Sequence, residues 1–284
     1  MEETAAIDKT AAAESSTGTP RFVRRLHYWW SLFLAGALLG SLGPPILFVA
    51  WVLRKHDLVY PVAKFGGRAW LRLSGVKVHL RGLNLLDPKQ TYVFVSNHRS
   101  YLDTATLFVY LGRSIGLLAK KELLKVPVLG VGMGFVNVMA IDRTNRESAI
   151  RTTGAATKRI QSGRSFAVFV EGTRAKPGEL LPFKKGAFYM AKQAGVPVVP
   201  IAIKNSDVLM GKGTSEARSG TLEIVVLPPL NTQVVKTDDD MNEFITRVRT
   251  LIANELEEPY ESSVGFWEPT LHGCFSENRS SARP

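Results

Sequence analysis

The stretch YVFVSNHRSYLDTATLFVYL, Tyr92–Leu111, changes character in its middle. Tyr92 to Val95 are aromatic and β-branched, the make-up of a buried strand. The run from Asp103 reads as a helix, and between the two lies a polar turn that holds His98, with Asp103 five residues on. Working residues in sheets covered by helices sit just beyond the carboxyl ends of strands. A histidine placed there faces a cleft, and a carboxylate one turn later can accept its Nδ1 proton. That contact fixes the tautomer, leaves Nε2 as an acceptor and stabilises the imidazolium formed when a proton is taken. Taken alone, the spacing fits equally a helix-capping aspartate beside a surface histidine.

Outward from this unit the chain alternates. Strand-like runs recur at VKVHL, YVFVSN, GLLAK, VMAID, FAVFV, VPVVPIAI and TLEIVVL, with helix-like DTATLFVYL, ESAIRTTGAATKRIQSG and GAFYMAKQAG between several of them. The alternation predicts an α/β domain over residues 76–259, with a mixed, largely parallel sheet flanked by helices. DDDMNEFITRVRTLIANELEE closes it as an Asp-capped helix.

Other strand ends carry charge. FAVFV runs into Glu171, Gly172, Thr173 and Arg174, with Lys184 and Lys185 following; GLLAK ends on Lys120 and Lys121; VMAID ends on Asp142 and Arg143. Arg174 offers a planar fork to a phosphate monoester, and Gly172 lets backbone approach a ligand. Cations placed after separate strands converge only on an anionic site. Charge runs elsewhere are usually solvated faces.

The net charge of +11 over 284 residues points to an anionic partner. The aromatics lack the interleaving that stacks bases, which argues against nucleic acid. One cysteine, Cys274, excludes an internal disulfide framework, and the five histidines show no ligand spacing, so no structural metal is expected.

Residues 1–20 read as a disordered tail and 260–284 as a C-terminal tail without strong pattern. Residues 21–57 read as a membrane-embedded helical segment. Between Arg25 and Arg54 roughly 28 residues carry no charge apart from His27, enough to cross a bilayer. Two paths fit. One is a single spanning helix with Trp29, Trp30 and Trp51 at the interface. The other is a segment bent at Gly43–Pro45 that dips into one leaflet, in keeping with basic residues at both ends. Residues 58–75 read as an amphipathic interfacial helix whose Lys64, Arg68 and Arg72 fall four apart on one face. A face packed on the catalytic domain would give the same pattern.

NHRSYLD resembles the NHxxxxD block of the glycerolipid acyltransferases, and FVEGTR resembles their FPEGTR block. AKKELLKVPVLGVGMGFVNVMAIDR is similar to the segment that closes on an Asp-Arg pair, and VPVVPIAI to the apolar block containing Pro200. Order and spacing agree across roughly residues 75–230, most nearly with the bacterial 1-acylglycerol-3-phosphate acyltransferases. Val170 replaces the usual proline, and an aromatic common before Ile-Asp-Arg is missing. The resemblance implies transfer of an acyl group from acyl-CoA or acyl carrier protein to the sn-2 hydroxyl of lysophosphatidic acid. His98 would be the general base, oriented by Asp103. Arg174, Thr173, Glu171 and Gly172 would frame the phosphate, with Arg143 and Lys120 assisting. No cofactor or metal is implied. A bilayer partner is, with the catalytic domain on the cytoplasmic side of a bacterial inner membrane.

Rival readings remain. The acceptor could be glycerol 3-phosphate, another lysophospholipid or a lyso-ornithine lipid. GRSIG, Gly112–Gly116, matches the G-x-S-x-G of esterases, but helix before and strand after Ser114 reverse the required context. A non-catalytic adaptor would use the basic face alone. GVGMG, Gly130–Gly134, lacks the spacing of a dinucleotide fingerprint, and its glycines suit close packing or an acyl groove.

Overall fold

The structure, a computed structural model, describes residues 18–258 apart from Arg113; the tail readings for 1–17 and 260–284 fall outside them. All seven runs read as strands are strands: β1 Val76–Arg81, β2 Val93–Ser96, β3 Gly116–Lys120, β4 Val138–Ile141, β5 Phe166–Phe169, β6 Val198–Lys204 and β7 Gly220–Val226. They form one sheet in the order β1-β7-β6-β2-β5-β3-β4, parallel except where β6 meets β7. The helices are α1 Arg21–Val52, α2 Val59–Leu73, α3 Leu102–Tyr110, α4 Leu129–Phe135, α5 Arg146–Gln161, α6 Gly186–Ala194, α7 Ser206–Met210 and α8 Asp238–Glu257.

The sheet is covered on both faces, which is why its central strands β2, β5 and β6 are apolar up to their last residues, Ser96 and Lys204 being the polar ends. Phe94 of β2 joins Leu71 of α2 and Leu102 and Leu107 of α3 in one core. Val93 and Val95 face the other way, onto Ile160 of α5, Phe188 of α6 and Phe244 and Val248 of α8. Helix α8 starts at a capping box, in which the Thr237 hydroxyl accepts from the Asp240 N–H while Asp240 accepts in return from the Thr237 N–H. Tyr60 ties α2 to the turn before β3. Its hydroxyl donates to the Ile115 carbonyl at 2.9 Å and accepts from the Ile115 N–H at 2.6 Å. Burial pushes this phenol up to about 12, so it stays neutral and can do both.

Helix α1 departs from one expected path. The pair Pro44–Pro45 lies inside it, and the helix runs unbroken to Val52, about 48 Å at 1.5 Å per residue. The prolines remove two backbone donors without ending the helix, so the chain does not turn back at Gly43. By length and composition α1 could cross a membrane, and its most apolar window is not buried in the protein. Near its start it touches the domain through polar contacts: the Ser31 and Ser74 hydroxyls lie 2.8 Å apart, Trp70 Nε1 donates to the Ser31 carbonyl at 2.8 Å, and Arg24 pairs with Glu216 at 2.6 Å, while Ala50 near its end packs with Val59, Tyr60 and Val136. On α2, Lys64 and Arg68 lean over the rings of Tyr60 and Tyr110, so part of the basic face rests on the protein.

Candidate active site

Strands β2 and β5 are neighbours, with Ser96 opposite Phe169, so the turns leaving them meet above the sheet. Each is wired to the other through backbone. Val170 N–H donates to the Ser96 carbonyl at 3.2 Å, and Ala175 N–H donates to the His98 carbonyl at 2.8 Å. Val170, where the motif it resembles would carry proline, thus extends the ladder by a bond that proline could not donate.

On the other side of β2, Asn97 pins the turn to β6. Its amide donates to the Ile203 carbonyl at 2.9 Å and accepts the Ile203 N–H at 2.8 Å, fully buried. His98 follows with only 15% of its side chain exposed. Its Nδ1 lies 2.9 Å from Asp103 Oδ2. The same oxygen accepts the N–H groups of Arg99 and Ser100 at 2.7 and 2.8 Å, so the aspartate is held by three donors, two of them backbone. The imidazole lies flat on Phe169, 3.9 Å between centroids at 15°. Ring and carboxylate are locked together while Nε2 has no partner among the described residues. The arrangement can accept a proton at Nε2 and spread the resulting charge onto Asp103.

Glu171 is placed differently from an open phosphate frame. It is buried, and its two oxygens accept the N–H groups of His98 at 2.7 Å and Leu181 at 2.8 Å. Burial raises its pKa, against the lowering effect of those two bonds. It acts on the His98 turn from below. Gly172 has φ of +72°, the left-handed turn that glycine enters freely, and its carbonyl accepts from Arg143. Arg143, from the end of β4, is thereby brought to the turn after β5. Thr173 is exposed above it.

Arg174 lies over the ring of Tyr101, with its guanidinium carbon 3.7 Å from the centroid. Stacking occupies the face of the fork and leaves its edge N–H groups available for an anion. Lys212 donates from Nζ to the Arg174 carbonyl and from its N–H to the Arg99 carbonyl. Lys120 is exposed and pairs with Glu122 at 3.4 Å, and Lys121 holds Asp142 at 2.5 Å. Arg99 is committed to Asp207 at 3.3 Å. Ser114 sits between the end of α3 and the start of β3, so no nucleophile elbow exists there. Sequence reading missed Asn97, Phe169, Tyr101 and Lys212; an asparagine directly after a strand and an aromatic at a strand end were the available signals.

Residues 77–204 match the protein-family model described as Acyltransferase. The chain is 37% identical over 204 residues to 1-acyl-sn-glycerol-3-phosphate acyltransferase alpha of Ovis aries, covering 66% of this chain and 71% of the relative. It belongs to the 1-acyl-sn-glycerol-3-phosphate acyltransferase family. The human acyltransferase of the same name is 37% identical over 215 residues, 70% of this chain and 75% of the relative. For the fold, the crystal structure of the 1-acyl-sn-glycerophosphate (LPA) acyltransferase PlsC from Thermotoga maritima superposes with a TM-score of 0.74 at 22% identity. It covers 86% of this acyltransferase and 100% of that chain.

Proposed function

We propose that this acyltransferase moves a fatty acyl group from a thioester of coenzyme A or acyl carrier protein to the sn-2 hydroxyl of 1-acylglycerol 3-phosphate, giving phosphatidic acid. One observation carries the reading: an imidazole tethered to a buried carboxylate at 2.9 Å, with its far nitrogen open, on a turn bonded to the one bearing Arg174. Asp103 holds the proton on Nδ1. Nε2 takes the hydroxyl proton as the alcohol oxygen attacks the thioester carbonyl. Collapse breaks the C–S bond, and the imidazolium returns the proton to the leaving thiolate. The acceptor is itself the nucleophile, so no acyl-enzyme is needed. The edge donors of Arg174 grip the phosphate, and Arg143 and Lys120 add positive charge around it. Glu171 keeps the His98 backbone in place. The exposed tryptophans of α1 and its unburied apolar length support its role as the membrane anchor, which brings the site to lipid substrates.

The test is a purified acceptor panel with one acyl-CoA, read by mass spectrometry. Lysophosphatidic acid should become phosphatidic acid. Consumption of glycerol 3-phosphate without lysophosphatidic acid would overturn the acceptor, and thioester loss indifferent to acceptor would favour a hydrolase.

A further inference from the structure

After β3 the chain makes a 3-10 turn, Lys121–Lys125, and passes through Val126–Val128 into α4. Its apolar side chains point outward. Leu123, Leu124 and Val126 are 39%, 53% and 38% exposed, and Val131 on α4 reaches 64%. Lys120, Lys121 and Lys125 stand among them; Lys120 and Lys121 have carboxylate partners, and Lys125 has no ionic partner among the described residues.

The turn is held in this state by packing. Val128 has φ of 64°, a region a β-branched residue rarely enters. Its Cγ1 lies 2.2 Å from where a Cβ on Gly43 would stand, so the valine occupies a notch in α1 that only glycine leaves open. A Cβ on Gly130 would lie 2.2 Å from the Leu124 carbonyl oxygen, so α4 closes directly on the turn. Phe135 stacks on His56 beyond the end of α1, 4.6 Å between centroids. Gly130 of GVGMG thus serves close packing, and the result is an apolar knob beside the exposed Phe48, Trp51 and Val52 of α1.

We propose that the segment Lys121–Val131 is a second membrane contact, in which Leu123, Leu124, Val126 and Val131 enter the interfacial layer of an anionic bilayer and Lys121 and Lys125 meet lipid phosphates. Apolar side chains rimmed by ammonium groups match that layer in both chemistry and charge. The surface is continuous with α1 through the Val128 notch, and the proposal rests on reading α1 as the membrane helix. Because β3 pairs with β5, whose end bears Glu171 to Arg174, this contact sets the height of the site above the lipid.

The experiment uses the full chain with Cys274→Ser and single cysteines at Leu124, Phe48 or Val234, each labelled with a polarity-sensitive fluorophore. Val234 is an exposed control beside the start of β6, at the end of the strands away from the site. Vesicles of phosphatidylglycerol and phosphatidylcholine carry nitroxide quenchers on their acyl chains. Quenching at positions 124 and 48 but not 234 is expected. Quenching at 48 alone overturns the second contact and leaves the anchor standing, whereas quenching at 124 alone supports the contact and removes the anchor. Equal quenching at all three, or none, overturns the contact. A second measurement guards against label artefacts. Leu123→Gln/Leu124→Gln should raise KM for vesicle-borne acceptor at least ~5-fold with kcat unchanged. Its rate on a dispersed short-chain acceptor should hold, and an equal change in both KM values would count against the proposal.

Discussion

Two of the places where charged side chains are buried among the described residues are built on opposite plans. Where β1, β7 and β6 meet the end of α8, full charges face full charges. Arg81 Nε lies 2.9 Å from Glu223 and its Nη2 also reaches Glu255, while Lys204 sits 3.3 Å from Glu255 and 3.8 Å from Glu223. His79 Nδ1 stands 3.6 Å from Glu223. Where β2 meets β5, Asp103 and Glu171 make no ion pair with lysine or arginine among the described residues. Backbone N–H groups and one imidazole hold them instead. The first set is neutralised internally and tends to knit strand to helix. The second keeps a carboxylate whose attraction for the imidazole grows when the ring takes a proton. Buried charge alone does not mark an active site. A buried charge left to answer a change in its neighbour marks a candidate for one.

The largest effect should come from removing that answer. His98→Ala is expected to lower kcat by roughly 10²- to 10⁴-fold with thermal unfolding little changed, as read by acyl-transfer kinetics and circular dichroism. Asp103→Asn should fall in the same range, because an amide no longer stabilises the imidazolium. Unimpaired turnover in either would remove the contrast altogether. Glu223→Ala is the mirror experiment. It leaves Arg81 and Lys204 to share the single carboxylate of Glu255, so stability to urea should drop by about 3 kcal/mol while kcat/KM at low temperature stays within about twofold. A rate loss with intact stability would place the ionic cluster in function.

Tyr101→Ala should free the Arg174 guanidinium and raise KM for the acceptor roughly 3- to 10-fold, with kcat much less affected. Tyr101→Phe keeps the ring face and should restore KM; failure of that rescue would assign Tyr101 another role. The smallest effect concerns Glu171. Burial raises its pKa in the folded protein, so the fold binds that proton more firmly than the unfolded chain does. The stability tied to this proton is full below the ordinary glutamate pKa and is lost as pH climbs through the raised value. Glu171→Gln has nothing to titrate there. Urea midpoints from about pH 4 to about pH 8 should therefore show the variant gaining on the wild type as pH rises. Parallel curves would mean that Glu171 titrates at its ordinary value.

The strands were legible because a sheet covered on both faces needs unbroken apolar runs, and those runs stand out between polar turns. His98, Asp103 and Arg174 were legible as strand-end residues of types that do chemistry. Helix α4 was not, since its glycines argue against a helix, and the packing that needs Gly130 lies on the preceding turn. The passage of α1 through Pro44–Pro45 was left open between a straight and a bent path, because local rules price a lost hydrogen bond but not the helix that persists around it. Glu171 read as a polar partner for a ligand until its burial beneath the His98 turn was seen.

Chain order alone determined the layered architecture, the histidine with its aspartate five residues on, and an arginine just after another strand, since these depend on residue type and near neighbours. Tertiary structure decided the rest. It stacks Tyr101 under Arg174 and Phe169 under His98, seats Val128 in the Gly43 notch, and gives Asp103 backbone donors but Glu223 cations. The reason is that β2 and β5 are adjacent in space and some seventy residues apart in sequence, so what each turn finds across the gap is set by the folded sheet.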